Sequence, residues 1–556
     1  MAAGIVIGPR SSPGRYDAVV VGGGHNGLVC AAYLARGGMR TLLLERRETL
    51  GGAMATAEVS PGASVPVLAH TVGRMRPSIA RDLDLAGEGL RLVQPEVRAV
   101  SVRPDGPPIA LFGDPARTAT ELASISRHDA AAWIELDRRV SSLAGVLGRL
   151  AGQTPPDPSS PRLDDALGAM RIGLGYRGLA AEDRRELLRV LPMAVADFLG
   201  DHFETDALRA LLSIRGMRFS SLAPRAAGST QQLLADSAGN GGGLAGETVY
   251  ARGGPGAMAA ALVSAARRLG AELRTGVEVT QVRENGGRAT GVVLASGEEI
   301  EAGIVVSGVD PKRLLLTMLD PESLGPHLGW QAGNYRSAGV TAKVNLALSD
   351  LPAFAGLDTD ETRARLRGRI VVAPSVSYLD RAADAAKYGR FPTDPWLEAT
   401  IPSLVDPLLV DRARDSGVRH VMSVVLQSAA YSLREGGAEA WDGRRDELGD
   451  VAIRVLETVA PGIGGLVVGR QVLTPLDLER DYGMTGGHPL HGEPSLDQWF
   501  AWRPMLGLAQ YRMPLEGLYL CGSGAHPGGG VTGVPGRNAA REILADRNRA
   551  RRSGRR

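Results

Sequence analysis

Asp17-Ala18-Val19-Val20-Val21-Gly22-Gly23-Gly24-His25-Asn26-Gly27, followed by an apolar helical run and then Thr41-Leu42-Leu43-Leu44-Glu45, decides the fold. Small and β-branched residues read as a buried strand, the glycines as a tight turn, the next run as a helix, and the last segment as a second parallel strand ending in a carboxylate. This unit holds the ADP half of a dinucleotide. Gly22 permits the turn, Gly24 lets the backbone approach a pyrophosphate, and Gly27 lets the helix pack close to the strand. Glu45 is placed to accept hydrogen bonds from a ribose. A helix beginning near Asn26 adds free amides and a partial positive charge for the phosphates, with His25 in the phosphate turn itself.

At 556 residues the chain exceeds the size at which one hydrophobic core stops growing, so two connected domains are expected. With 44% hydrophobic and 22% charged residues it has an ordinary globular composition. A formal net charge of +2 without an arginine stripe interleaved with aromatics gives no footprint for nucleic acid. Only Lys312, Lys343 and Lys387 are lysines, so nearly all positive charge is arginine. The basic tail Arg547 to Arg556 reads as a solvated terminus, with contact to an anionic membrane surface as the alternative. Cys30 and Cys521 fall in segments expected to be buried and form no disulfide framework. The start of the chain lacks a secretion signal, and no apolar stretch of about 20 residues occurs, which points to the cytoplasm or, at most, the periphery of a membrane.

The chain visits its nucleotide domain three times. Residues 16–89, 247–313 and 511–545 are expected to form it, with 90–246 and 314–510 as a discontinuous substrate domain and 1–15 and 546–556 as flexible termini. Residues 155–161 form a Pro-rich break. Strands are expected at 341–346, 396–401 and 420–426, and a helix at 448–458. Two further G-x-G-x-x-G matches carry little. Gly241, Gly243 and Gly246 follow no strand, and Gly528, Gly530 and Gly533 are followed by no acidic strand end. A second Rossmann unit for NAD(P)H is therefore not expected.

Glu45 runs through Arg46 into Gly51-Gly52-Ala53, and this paired-glycine turn resembles the second phosphate-side loop of FAD-binding oxidoreductases of the glutathione reductase and amine oxidase type. Together with Ser307-Gly308-Val309-Asp310-Pro311, Thr400 to Pro407, Val472-Leu473-Thr474-Pro475 and above all Tyr519 to Ala540, it gives a resemblance over residues 16–545. The family resembled is that of phytoene desaturase and its phytoene dehydrogenase-related, pyridine nucleotide-disulphide oxidoreductase domain-containing members, within the amine oxidase-like superfamily. The resemblance implies an α/β fold with a Rossmann-like FAD-binding domain and a discontinuous α+β substrate domain whose apolar tunnel admits a lipid-like substrate. It places Val279 beside the adenine, Gly52 and Ala53 beside the pyrophosphate, and Val531 to Val534, with Gly533, at the start of a helix aimed at the flavin. Two departures stand out. Ala53 replaces the arginine common in amine oxidases, and Ser523, after Gly522, replaces an acidic residue, which leaves phosphate neutralisation to backbone amides and Arg46 or Arg537.

A flavin performs the electron transfer itself, and the protein contributes position, electrostatics and solvent exclusion. Accordingly, no Ser-His-Asp set or zinc spacing stands out; His488 and His491 lack a third ligand, so no metal is expected. His526, in the loop before the last helix, and His70, past the paired glycines, are the candidates for proton handling; each also reads as a hydrogen-bonded structural histidine. Trp499, Phe500 and Trp502 bound either a cavity or a core. The leading expectation is an FAD-dependent oxidoreductase acting on carbon–carbon bonds of a hydrophobic, isoprenoid-like substrate, with oxygen or a quinone as acceptor. An FAD-dependent oxidase of an amine or amino-acid-derived metabolite, and a binding scaffold with or without flavin, are the alternatives. Oligomeric state is left open.

Overall fold

The computed structural model describes residues 15–157, 163–411 and 416–553. Residues 1–14 and 554–556 of the expected flexible termini, and 158–161 of the Pro-rich break, lie outside them. The opening stretch forms strand β1 (Tyr16–Val21), helix α1 (His25–Arg36) and strand β2 (Thr41–Leu44). β1 and β2 run parallel, with Val19 opposite Leu42 and Val21 opposite Leu44. Gly22 takes φ +100°, a value only glycine adopts without strain. A Cβ on Gly27 would collide with the carbonyl oxygen of Gly22, so α1 lies against the turn only because Gly27 has no side chain.

The first sheet is completed from distant segments. Its order runs from Val279–Asn285 through Arg288–Leu294, Glu299–Ser307, β1 and β2 to Glu272–Arg274, with Leu518–Leu520 pairing on Glu299–Ser307. Ser307 stands between Val21 and Leu520, so beginning, middle and end of the chain meet at one edge of the cleft. The last helix extends from Val534 to Ser553, beyond the point near residue 545 where a frayed end was expected. Asp546, bonded to Arg512 and Tyr519, and Arg547, donating to the Gly37 carbonyl, hold its final turns on the sheet domain.

The second sheet has the order Val467–Leu473, Thr341–Leu348, His420–Gln427, Leu397–Thr400, Arg369–Val372, Val97–Ser101, Ile109–Phe112. Ala342, Val344, Leu346, Val424, Leu426 and Ala399 face one way, into a core shared with Trp441 and Leu448 of the helix Ala440–Glu457. Because side chains alternate along a strand, Thr341, Lys343, Asn345, Ser423, Gln427, Glu398 and Thr400 face the other way. All seven are buried. The molecule is thus an α/β Rossmann-like domain of the FAD-binding type joined to an α+β domain, and the wall of the second domain turned toward the first is polar.

Candidate functional site

A cleft opens at the carboxyl ends of the first sheet's parallel strands. Ligand sites in open α/β sheets sit at this topological position. Of the residues expected to hold a cofactor, Gly22, Gly24, His25, Asn26, Gly27, Glu45, Arg46, Gly52, Ala53, Val279, Gly522 and Ser523 line it. Gly51 supports the floor through its N–H to the Gly23 carbonyl. Gly533 and Val534 lie elsewhere: Gly533 packs on Met75, Ile79 and Val29, and Val534 borders a separate cavity.

Several local features fit an extended dinucleotide. No side chain caps the amino terminus of α1, so its first-turn amides remain available to an anion. A Cβ built on Gly24 would meet no protein atom within 4 Å, although Gly24 has an ordinary φ of −68°. Glycine there leaves room for a ligand and does not relieve a backbone clash. Around the cleft, Asn26 Oδ1, one Arg47 guanidinium nitrogen and His491 Nδ1 are buried without a hydrogen-bond partner. Buried polar atoms are ordinarily paired, so these three are free to meet the polar groups of a ligand or of water. Glu45 accepts from the N–H groups of Gly23 (2.7 Å) and Arg47 (2.9 Å) and retains lone pairs for a ribose.

Asn26 Nδ2 donates to Ser523 Oγ at 3.2 Å, so the serine that replaces an acidic residue is tied to the phosphate turn. Burial holds His25 near pKa 4, hence neutral; its Nε2–H donates to the Gly530 carbonyl (3.1 Å) and joins the phosphate turn to the late glycine loop. Of the two arginines considered for phosphate neutralisation, Arg46 borders the cleft, whereas Arg537 donates to Ser78 Oγ and is not part of its lining. Arg47 and Arg313, which the sequence did not single out, also line the cleft.

His70 lies one residue beyond Ala69, whose N–H bonds the carbonyl of cleft-lining Ala53. Its Nε2 is 3.1 Å from Glu398 Oε1 and its Nδ1 is 3.4 Å from Lys343 Nζ. Burial, with the Lys343 charge adding to it, lowers the His70 pKa to about 4. A neutral ring satisfies both contacts in one way: Nε2–H donates to the carboxylate, and Nδ1 accepts from Lys343. Burial also pushes Lys343 down to about 7, against the pull of Glu398. Glu398 in turn accepts from Arg218 (2.5 Å) and Arg369 (3.0 Å), and these guanidinium charges, despite burial, hold its carboxyl well below the usual range. Next to this chain, Asn345 Oδ1, Thr400 Oγ1, Ser423 Oγ and Gln427 Nε2 are buried without partners. Lys343 and Glu398 escaped the sequence reading; the scarcity of lysine was the only available signal.

His526 does not line the main cleft. It is buried, held near pKa 4 chiefly by burial, and its Nε2–H donates to the Leu150 carbonyl at 3.2 Å, which leaves Nδ1 without a partner. Its ring meets Phe500 edge-on at 5.4 Å. Trp499 and Phe500 stack obliquely at 5.8 Å, while Trp502 stays half exposed. His488 bonds the Leu490 N–H and approaches Glu493, a structural setting.

Comparison with known proteins agrees with this architecture. Residues 20–84 match the family described as NAD(P)-binding Rossmann-like domain, and residues 174–370 the one described as flavin containing amine oxidoreductase. Pyridine nucleotide-disulfide oxidoreductase domain-containing protein 2 of Rattus norvegicus is 33% identical over 551 residues, covering 96% of this chain and 94% of that protein. The neurosporene-forming phytoene desaturase of Cereibacter sphaeroides is 25% identical over 98% of this chain and 97% of its own length. Among solved structures, a triple mutant of putrescine oxidase superposes with a TM-score of 0.58 at 15% identity, over 96% of this chain and 98% of the other, a likeness of fold. Among the described residues no helix is long and apolar enough to cross a membrane.

Proposed function

The chain belongs to the family of pyridine nucleotide-disulfide oxidoreductase domain-containing protein 2, and on that premise we propose that this FAD-dependent oxidoreductase oxidises a small amine or amino-acid-derived compound, with oxygen or a quinone as final acceptor. The observation that carries the reading is the buried Lys343–His70–Glu398 chain on the polar wall of the second sheet. An isoprenoid tunnel has no use for a desolvated ammonium and four buried polar atoms without partners, which cost free energy unless a ligand or water meets them. FAD, when bound, supplies the two-electron acceptor. Gly22, Gly24 and the α1 amides hold its pyrophosphate, Glu45 its ribose, and Arg46, Arg47 and Arg313 balance its charge.

The chain's residues then manage the proton. With a pKa near 7, Lys343 is partly neutral at physiological pH and accepts a proton from the substrate amine as the carbon–hydrogen electron pair leaves. His70 fixes the lysine through Nδ1, and Glu398 sets the ring tautomer through Nε2. Removal or insertion of a carbon–carbon double bond is the second reading, favoured by the 25% identity to phytoene desaturase. Anaerobic mixing of the purified yellow protein with amines, amino acids and apolar polyenes separates the two. Bleaching of the flavin by an amine or amino acid supports the first. Bleaching by polyenes alone refutes it. The rate at which dithionite-reduced protein reoxidises in air then distinguishes oxygen from a quinone as acceptor.

A further inference from the structure

Among the described residues, the side chains with a basic nitrogen that line the main cleft are His25, Arg46, Arg47, Arg313 and His491. The three arginines gather beside the residues assigned to ribose and adenine. Arg46 donates to the Arg480 carbonyl (2.8 Å), Arg47 lies over the Tyr482 ring at 4.3 Å, and Arg313 pairs at 3.1 Å with Glu278, the neighbour of Val279. His25 spends its N–H on Gly530. With Ala53 in the place of an arginine, the phosphate end of the cleft is left with His491.

Several contacts fix His491 at that end. Its charge acts on His25, the first residue of α1. Arg503 Nη2 donates to the Leu490 carbonyl (2.8 Å) and to the Ser523 carbonyl (2.9 Å), which ties the turn before His491 to the cleft-lining serine that Asn26 bonds. The His491 backbone is held at φ +56°. A residue with a side chain adopts this conformation at a cost, and it persists where neighbours over-determine it, as at ligand clamps. Here Tyr335 donates its hydroxyl to the His491 carbonyl (2.9 Å), and the His491 N–H donates to the His488 carbonyl (3.0 Å). A Cβ on Gly492 would collide with Tyr335, so glycine at that position lets the tyrosine reach the turn. Burial lowers the His491 pKa against the pull of Asp310, so the ring is neutral at pH 7, and its buried Nδ1 has no partner. A strained turn, pinned from three sides, thus presents an unused imidazole nitrogen beside the uncapped amides of α1.

We infer that His491 is a cofactor-binding residue whose Nδ1–H donates to the pyrophosphate of FAD, in the role of the arginine that Ala53 replaces. The inference rests on the reading of the cleft as the FAD site.

The test titrates the full-length protein, stripped of flavin, with FAD, with ADP-ribose, which keeps the pyrophosphate, and with adenosine, which lacks it. His491→Gly suits the left-handed backbone and removes the ring, whereas His491→Asn keeps an N–H near Nδ1 on a residue that tolerates positive φ. His491→Gly is expected to weaken FAD and ADP-ribose about ten- to a hundredfold, the worth of one hydrogen bond to a charged group. Adenosine affinity is expected to stay unchanged, the apoprotein's melting temperature to hold or rise, and His491→Asn to recover part of the loss. Undiminished FAD and ADP-ribose affinity in His491→Gly overturns the contact. So does an equal loss for adenosine, which makes the residue a support of the cleft wall. Nitrogen NMR of histidine-labelled wild type answers without a glycine variant. The Nδ1 signal absent from His491→Asn is expected to move with ADP-ribose and not with adenosine, and a signal indifferent to ADP-ribose refutes the inference. A wild type that binds none of the three ligands removes the FAD reading and this inference together. A wild type that binds FAD no better than His491→Gly removes the inference alone.

Discussion

Replacing Gly24 tests the cofactor placement most directly, because protein and ligand respond differently. A Cβ at Gly24 meets no protein atom within 4 Å and the backbone is in an ordinary conformation, so Gly24→Ala leaves the apoprotein's stability nearly untouched. The added carbon instead occupies the space assigned to a phosphate. Forcing a methyl-sized group into a filled site costs about 1–3 kcal/mol, or roughly 5- to 150-fold in affinity at about 1.4 kcal/mol per decade. Gly24→Val, with two further carbons, is expected to lose FAD on gel filtration. Gly27→Val is the control: its Cβ collides with the Gly22 carbonyl, so it damages folding with or without FAD. Fluorescence titration of apoprotein with FAD, beside melting curves of apo and loaded forms, reads both effects. The stabilisation conferred by FAD at a hundred times its Kd is about 2.7 kcal/mol, and the weakened variants lose it in proportion. Full FAD affinity in Gly24→Val, or an apo melting temperature lowered as far as in Gly27→Val, refutes the placement of the pyrophosphate over Gly24.

Glu398→Gln leaves Arg218, Arg369 and Lys343 short of a counter-charge and is expected to cost about 3–5 kcal/mol at neutral pH. Spread over the unfolding entropy of 556 residues, about 2.1 cal/mol/K each, that lowers the melting temperature by about 3–4 °C. Because folding depresses the Glu398 pKa, its contribution is present above the unfolded value near 4.3 and disappears on acidification, so the gap between wild type and variant closes below about pH 4. A gap constant from pH 7 to 3 contradicts this. In stopped-flow reduction, the wild-type rate is expected to rise as pH passes about 7 and Lys343 loses its proton, whereas Lys343→Met gives a slow, flat profile. A variant that keeps the wild-type rise removes Lys343 from proton transfer. His526→Ala is expected to leave the pH midpoint of reduction unshifted above pH 5, since the imidazole is already neutral there. A displaced midpoint returns the proton to His526.

The nucleotide half of the molecule is legible in sequence because its chemistry demands glycine at fixed places. Gly22 needs a positive φ, Gly27 a close helix contact and Gly24 a bare approach, and no side-chain substitution hides these requirements. The strand at residues 341–346 is legible too, from the alternation of Thr341, Lys343 and Asn345 with Ala342, Val344 and Leu346. That alternation also misleads. One polar face and one apolar face describe an antiparallel strand with one side in water, which is the common case. Here the polar side is buried, since His70, 273 residues earlier in the chain, closes over Lys343, and Glu398 arrives two strands away across the sheet. A buried lysine and a solvated one are spelled alike. What separates them is long-range pairing, which has no local period. Glycine-dependent backbone geometry is therefore where the sequence speaks plainly, whereas the groups proposed to handle the substrate are ordinary polar residues whose meaning depends on what the fold lays against them.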